Sequence, residues 1–497
     1  MLFNSPLYIF LFLPIVVLVY FLLNQRRLIM AGKVWLVLAS LFFYGYWKPV
    51  YLLLIITSIL VNYSVGRTLH TAKQPESSLR NWRRMVLVFG VIFNLGLLGY
   101  FKYADFFIEN FNWISNSNLS LLELTLPLAI SFFTFQQVAY LVDCYQLDTP
   151  EYNFLNYCLF VSFFPQLIAG PIVHHHQMMP QFSRLQNKRV NWNHVLAGLI
   201  IFGVGLFKKV AVADTFAVWA NAGFDSTGDL SFLSAWGASL SYTFQLYYDF
   251  SGYSDMAIGA ALIFNIHLPI NFNSPYKATS IQDFWRRWHM TLSQWLRDYV
   301  YIPLGGNRRG RSLTYVNLSV TFLLGGLWHG AGWTFVIWGA MHGLAIAIHR
   351  FWSESGLKMP GFLGWFCTFF FVNVTWVFFR AESFESALRM TSSMFSVSEF
   401  SLSLRFLDQL SALMNVVLHN VFSVAVTAAA VSEWSILASG LALIAVVSGR
   451  NMMEKKEELI ALRGFSLAHL CFYAVIITIA LWVLLGSSSE VFLYFNF

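Results

Sequence analysis

The stretch SLTYVNLSVTFLLGGLWHGAGWTFVIWGAMHGLAIAIH, residues 312–349, contains no Asp, Glu, Lys or Arg and lies between Arg311 and Arg350. Its 38 residues are too many for one membrane crossing, which takes about 20 residues of helix. Four glycines lie near its centre: Gly325, Gly326, Gly330 and Gly332. Glycines at such positions favour local unwinding or a close approach of two helices. The stretch therefore predicts helical membrane structure with His329 deep inside it.

The composition of the whole chain extends this prediction. Of 497 residues, 57% are hydrophobic and only 11% are charged, against about 25% charged residues in ordinary globular proteins. Thirty-one basic and 24 acidic side chains could not cover a soluble protein that also had to bury 50 Phe, 22 Tyr and 18 Trp. We therefore expect an integral membrane protein and exclude a soluble enzyme, a fibrous protein or a disordered chain.

Further apolar runs divide the chain into membrane-spanning candidates. They lie at residues 1–25, 32–47, 49–65, 85–104, 122–142, 154–173, 195–220, 232–265, 313–349, 361–379, 407–430, 434–449 and 465–486. Runs of this length without alternation can satisfy their backbone in lipid only as helices. The predicted fold is one all-α, polytopic membrane domain over 1–497 with about 11–13 transmembrane helices and short interfacial or re-entrant helices. We divide it into amino-terminal spans (1–124), a core (125–380) and additional carboxyl-terminal spans (381–497).

Charge in the loops predicts the orientation. Residues 67–84 carry five Lys or Arg and one acid, whereas residues 105–120 carry two acids and no Lys or Arg. Because cytoplasmic loops are enriched in Lys and Arg, the first loop is predicted to be cytoplasmic and the second to lie outside. The basic stretches 277–311 and 450–463 then also face the cytoplasm, and both termini lie outside. The net charge of +7 is thus assigned to a membrane surface, and no nucleic-acid partner is expected.

Three polar residues interrupt the apolar segment 232–265: Asp249, Tyr253 and Asp255. Carboxylates inside a membrane are costly and usually face a cavity or a partner. One interpretation is that both aspartates cap a broken helix or pair with a nearby Arg. The alternative is a direct part in chemistry.

The following segment combines basic and aromatic side chains. If residues 283–298 form one helix, Trp285, Trp288, His289 and Trp295 lie roughly on one stripe, as in an interfacial amphipathic helix. Docking to the membrane surface would explain this pattern without a substrate. Alternatively, its arginines collect an anionic donor, such as the phosphates of coenzyme A or a phosphopantetheine arm, beside a histidine that acts as acid, base or proton relay.

The histidines allow several interpretations. A neutral imidazole at His329 could accept a proton from a hydroxyl, or it could simply form a hydrogen bond between helices. His342 and His349 are assigned a packing or relay role. Residues 174–176 are three consecutive histidines, but adjacent ligands diverge and no Cys or carboxylate cluster joins them in the sequence. We predict a polar loop there and no metal site.

The sequence also lacks a G-x-x-x-x-G-K-[ST] phosphate-binding loop and a G-x-S-x-G nucleophile elbow. Five segments together resemble the membrane-bound O-acyltransferase (MBOAT) family, in its bacterial alginate and peptidoglycan O-acetyltransferase branch. They are FPQLIAGP (164–171), YDFSGYSD (248–255), FWRRWH (284–289), WLRD (295–298) and GGLWHG (325–330). The segment HHHQMMPQ (174–181) is more similar to the peptidoglycan-type members.

The resemblance implies that His329 matches the buried catalytic histidine of the family and His289 its second characteristic histidine. It implies an inner-membrane O-acetyltransferase that takes acetyl from a cytoplasmic thioester, acetyl-CoA or another, without a tightly bound cofactor. A periplasmic partner of the SGNH type would pass acetyl to a polysaccharide such as alginate or peptidoglycan.

Within this reading, Arg286, Arg287 and Arg297 are candidate donor contacts, and Trp328 and Trp333 are candidate walls that exclude water. Asp249, Asp255 and Tyr253 are included as donor-binding or chamber residues. Two other functions fit the sequence: a transporter or flippase for a lipid-linked saccharide, and a membrane scaffold for envelope assembly.

Overall fold

The computed structural model describes residues 1–71, 77–146, 153–168, 170–396, 433–461, 466–486 and 492–493. Within these ranges the regular structure is helical and includes no β-strand, which confirms the all-α prediction. The span predicted at 407–430 lies outside the described residues. The division into three parts of one domain stays a prediction.

The helices follow one another with short connections. In the amino-terminal part they are Tyr8–Phe12 (π), Leu13–Gln25, Ile29–Gly45, Tyr51–Thr71, Ser77–Leu98, Gly99–Tyr103 (π), Ala104–Ser115 and Ile130–Gln146. The core contains Phe154–Ser162, Phe164–Leu167, His175–Ser183, Trp192–Phe207, Lys208–Ala213 (π), Asp214–Phe224, Phe232–Ile263, Ile281–Trp285, Met290–Leu296, Arg297–Tyr301 (π), Arg311–His329, Trp333–Glu354 and Gly361–Arg380. The remaining ones are Phe384–Phe395, Glu433–Ser448, Lys456–Ile460 and Leu467–Gly486, with single 3₁₀ turns at Leu185–Lys188, Pro275–Lys277 and Met453–Lys455.

Seven helical stretches of the described chain are long and apolar enough to cross a membrane. They are Tyr8–Gln25, Tyr51–His70, Arg80–Ser115, Trp192–Phe224, Gly361–Arg380, Ser435–Ile460 and Leu467–Gly486. The helices Phe232–Ile263, Arg311–His329 and Trp333–Glu354 are outside this set, and each carries polar side chains along its length. The multi-pass architecture agrees with the prediction, whereas the total of 11–13 spans stays a prediction.

The 32-residue helix Phe232–Ile263, here called the central helix, packs closely against its neighbour Trp192–Phe207. Glycines face each other at two levels of this contact. A Cβ atom added to Gly198 would lie 2.7 Å from the carbonyl oxygen of Gly259, and one added to Gly205 would lie 2.6 Å from that of Gly252. The two backbones therefore approach as closely as glycine alone allows, which holds the middle of the fold rigid.

The uncharged stretch with which the sequence analysis began forms two helices. The helix Arg311–His329, here called the histidine helix, ends at His329, and Trp333–Glu354 begins three residues later after a turn at 330–332. The two helices pack against each other where a Cβ on Gly326 would lie 2.3 Å from the carbonyl oxygen of Phe335. The predicted unwinding and close approach at the glycines are thus both present.

The single amphipathic helix predicted over 283–298 is wrong. The chain forms a short helix Ile281–Trp285, a turn, and a second short helix Met290–Leu296, with His289 in the left-handed region at φ 41°. The Asn271 side chain holds this turn, since its Oδ1 accepts from the backbone N–H and the hydroxyl of Thr291 at 3.3 and 3.0 Å. Trp288 is 1% exposed, so these aromatic residues pack in the interior instead of anchoring an interface.

Candidate functional site

His329 lies at the carboxyl end of the histidine helix and is 3% exposed. Its imidazole is enclosed by aromatic rings: the ring centroids of Trp338 and Phe379 lie 5.2 and 5.1 Å away, and that of its neighbour Trp328 lies 4.9 Å away. Such surroundings hold water at a distance and leave few orientations for the ring. The predicted burial of His329 is confirmed.

His289 is fully buried beside it. The two imidazole centroids are 6.4 Å apart, and the Nδ1 atom of His289 lies 3.1 Å from Oδ1 of Asn271. The edge of His289 also meets Phe250 of the central helix, at a centroid distance of 4.8 Å. The broken segment 281–296 thus places His289 against His329, although the two are 40 residues apart in the sequence.

A cavity of about 250 Å³ joins His329 to charged residues. Arg286 and Arg297 line it and are both exposed, together with the half-buried Tyr301. The other lining residues include Trp285, Leu296, Phe322, Gly325 and Trp338. The cavity therefore runs from exposed guanidinium groups along mostly apolar walls to a buried imidazole. Such a shape could bind an anionic group at its mouth and place an attached, less polar group at the histidine.

The remaining arginine and tryptophan candidates lie elsewhere. Arg287 donates to Asp283 Oδ1 at 2.9 Å and does not line this cavity. Trp328 is buried and stacks on Phe135 with a centroid distance of 5.2 Å, so it supports the wall behind His329. Trp333 is 58% exposed, and its indole N–H donates to Asn110. Hence the structure places Trp328, but not Trp333, at the site.

The polar residues of the central helix form a separate network. Asp255 pairs with Lys208 at 2.6 Å and Asp249 with Lys209 at 2.7 Å. Neither carboxylate caps a broken helix or meets an arginine, because the central helix continues through both and the adjacent π-helical turn presents lysines instead. Tyr253 stacks on Phe492 at 4.3 Å. These residues brace the centre of the fold and do not line the cavity at His329.

Sequence reasoning missed two residues that hold the end of the histidine helix. Lys102 Nζ donates to the carbonyl oxygens of Trp328 and His329 at 2.6 and 3.1 Å, and the Tyr103 hydroxyl donates to that of Leu327 at 2.7 Å. The last carbonyls of a helix lack donors within the helix, and a cation there is stabilising. The available signal was that Lys102 is the sole basic residue between Met85 and Glu123.

The other histidines also have defined surroundings. His342 is fully buried, receives the indole N–H of Trp285 at 3.2 Å and lies 3.1 Å from the hydroxyl of Thr375. This agrees with a packing role. The polar loop predicted at 174–176 is wrong, because His174 and His175 are buried and a helix begins at His175.

A carboxylate does reach these consecutive histidines from another part of the chain. Asp143 lies near the end of the helix Ile130–Gln146, and its Oδ2 is 2.8 Å from Nε2 of His175. Burial and the neighbouring His176 lower the pKa of His174, and burial and the neighbouring His175 lower that of His176. Both imidazoles are therefore neutral at pH 7, which is the form that can accept a hydrogen bond or bind a metal.

Comparison with known proteins agrees with this geometry. Residues 145–388 match the model of the membrane-bound O-acyltransferase family, and this range includes both His289 and His329. The chain is 47% identical over 533 aligned residues to a peptidoglycan O-acetyltransferase of Helicobacter pylori, covering 100% of this chain and 98% of the relative. It is 42% identical over 413 residues to a probable alginate O-acetylase, AlgI, of Pseudomonas aeruginosa, covering 81% and 76% of the two chains.

A more distant relative shares only part of the chain. A teichoic acid D-alanyltransferase of Streptococcus thermophilus is 28% identical over 239 residues, which is 46% of this chain and 58% of the relative. The resemblance stated from the motifs is thus confirmed by relatives that align over most or all of the sequence. The chain belongs to the membrane-bound O-acyltransferase family, and it is an acyltransferase.

Proposed function

We propose that this protein moves acetyl groups from a cytoplasmic thioester through the inner membrane for the O-acetylation of a cell-envelope polymer. The observation that carries the proposal is the cavity that joins exposed Arg286 and Arg297 to buried His329. A donor with an anionic part and a small acyl end matches both ends of that cavity. Acetyl-CoA has this form, and so does an acetylated phosphopantetheine arm.

The arginines would hold the donor by its phosphates. A guanidinium group presents several N–H donors in one plane and suits phosphate oxygens. Arg297 also keeps a carboxylate neighbour, since its Nε lies 2.7 Å from Oδ1 of Asp298, which fixes the direction of the side chain. Because the segment 277–311 is predicted to face the cytoplasm, the thioester would enter from that side.

At His329 the imidazole would act as a general base. It takes the proton of the accepting hydroxyl while the hydroxyl oxygen forms a bond to the thioester carbonyl carbon. The carbon–sulfur bond then breaks, and the departing thiolate takes up a proton. Such catalysis contributes about 10²- to 10⁴-fold in rate. In a variant mechanism, His329 attacks the thioester itself and carries acetyl as an acyl-imidazole.

His289 and Trp328 would support this chemistry from the side. His289 is close enough to act through the environment of His329, and the aromatic wall excludes the water that would hydrolyse the acyl group. Asp249, Tyr253 and Asp255 are proposed to act only through the rigidity of the central helix. No tightly bound cofactor is needed, because the thioester supplies the acyl group in activated form.

The acceptor is proposed to be peptidoglycan, reached through a periplasmic transferase of the SGNH type. Support comes from the relative named peptidoglycan O-acetyltransferase, which aligns with the whole chain, whereas the alginate-type relative aligns with 81% of it. Both termini would face the periplasm.

Purified protein in liposomes separates this proposal from a flippase and from a scaffold. With labelled acetyl-CoA on one side and a soluble hydroxyl acceptor on the other, we expect acetyl transfer that His329→Ala abolishes while the protein stays folded. His349→Ala is a matched control, since His349 is half-buried and does not line the cavity at His329. Glycan movement that is unaffected by His329→Ala would favour the flippase. Polymer acetylation in cells that survives His329→Ala but not the deletion of whole spans would favour the scaffold.

A further inference from the structure

Three side chains outside the acyl-transfer site converge although two parts of the fold supply them. Asp143 comes from the helix Ile130–Gln146, and His174 and His176 come from the segment around the start of the next helix but two. One ligand atom from each of the three lies within 4.8 Å of the other two. Two imidazoles and one carboxylate form a donor set that divalent transition metals prefer.

The ligand atoms need only a small movement to reach one ion. Zinc binds nitrogen and oxygen at about 2.0–2.2 Å, so two ligand atoms of one ion are at most about 4 Å apart. The observed separation exceeds this by less than an ångström. His176 is exposed and can close the difference by rotating its side chain.

His174 provides a second, independent observation. It is 5% exposed, and its Nε2 atom has no hydrogen-bond partner among the residues that the structure describes. A buried polar atom without a partner is costly and rare. Its other nitrogen, Nδ1, is already engaged, because it lies 3.3 Å from the hydroxyl of Tyr299. An ion at Nε2 would resolve this deficit.

The surrounding residues resemble the outer shell of a metal site. His175 lies 2.8 Å from Oδ2 of Asp143, and the Tyr299 hydroxyl donates to both oxygens of the same carboxylate at 2.9 and 3.0 Å. Such partners orient a ligating carboxylate. Tyr299 lies in the π-helical turn Arg297–Tyr301, which also carries an arginine of the cavity mouth.

We propose that Asp143, His174 and His176 bind one divalent transition-metal ion, for which Zn²⁺ is the best match. The ion joins the helix Ile130–Gln146 to the segment that begins the helix His175–Ser183. Through the hydrogen bonds of Tyr299, it also steadies the turn that carries Arg297. The site is structural and takes no part in the transfer of the acyl group.

The test uses the full chain in detergent with its affinity tag removed, because a polyhistidine tag itself binds zinc. After chelation and dialysis, the protein is titrated with Zn²⁺ against a fluorescent zinc chelator. We expect about one tight site per chain and a loss of affinity of about tenfold or more in His176→Ala and in Asp143→Asn. The matched control His469→Ala removes an exposed histidine elsewhere and should leave the affinity unchanged.

Cobalt gives an independent reading of the same site. Co²⁺ bound by two imidazoles and a carboxylate should give visible absorption bands in the unaltered protein that His176→Ala removes. The proposal is overturned if the unaltered protein binds Zn²⁺ no more tightly than His176→Ala does. It is also overturned if His469→Ala lowers the affinity equally. Because His176 is exposed, its substitution leaves the fold intact, and far-ultraviolet circular dichroism of the variant verifies this.

Discussion

Lys102 is predicted to position the catalytic histidine without touching the substrate. Its ammonium group donates to the carbonyl oxygens of Trp328 and His329, the last two residues of the histidine helix. A hydrogen bond from a charged donor is worth about 1.5–3 kcal/mol, so Lys102→Met should lower the stability by about that amount. If the helix end then shifts by about 1 Å, the rate of acyl transfer should fall by about 10²-fold.

The assay measures acetyl transfer in liposomes over a range of donor concentrations, together with thermal unfolding. We expect kcat to fall and the KM for the donor to stay within about twofold, because the cavity mouth is unchanged. Tyr103→Phe loses one neutral hydrogen bond and should cost only about 0.5–1.5 kcal/mol. Lys102→Arg should recover part of the activity, and Lys358→Met, which removes an exposed lysine, should have no effect. Full activity in Lys102→Met would refute the positioning role.

Three further predictions concern the cavity mouth, the helix contact and the central helix. Arg286→Gln and Arg297→Gln should each raise the KM for an anionic donor by about tenfold, the equivalent of about 1.4 kcal/mol, with little change in kcat; an unchanged KM in steady-state kinetics would contradict this. Gly326→Ala should destabilise the protein by about 1–3 kcal/mol in thermal unfolding and lower its activity, because the new Cβ would meet the carbonyl oxygen of Phe335 at 2.3 Å; an unaltered melting temperature would argue against that contact. Asp255→Ala leaves its buried lysine partner unpaired and should cost about 3–5 kcal/mol, whereas replacing both partners with apolar residues should restore much of this, and equal losses in both variants would count against the pairing.

The sequence predicted the parts of the fold that depend on hydropathy and on local glycine patterns. The charge-free stretch 312–349 required more than one helix, and its glycines predicted the turn after His329. The burial of His329 followed from its distance to the nearest charged residues. These properties depend on neighbours along the chain, and the sequence contains them directly.

Long-range partners decided what the sequence did not predict. The segment 283–298 has the spacing of an amphipathic helix, but the Asn271 side chain and the aromatic interior favour a left-handed turn at His289. Asp255 finds a lysine 47 residues away, and Lys102 reaches carbonyls more than 220 residues away. No spacing within one segment carries such pairings.

The central claim is that the cavity between Arg297 and His329 brings a thioester to the imidazole that performs the transfer. A single-turnover experiment tests it directly: protein in excess over labelled acetyl-CoA is mixed with a hydroxyl acceptor, and the acetyl ester is followed over time. Donor binding is measured separately in the same preparation. We predict that His329→Gln binds the donor as the unaltered protein does but forms ester at least about 10²-fold more slowly. Ester formation at the unaltered rate in His329→Gln would contradict the claim.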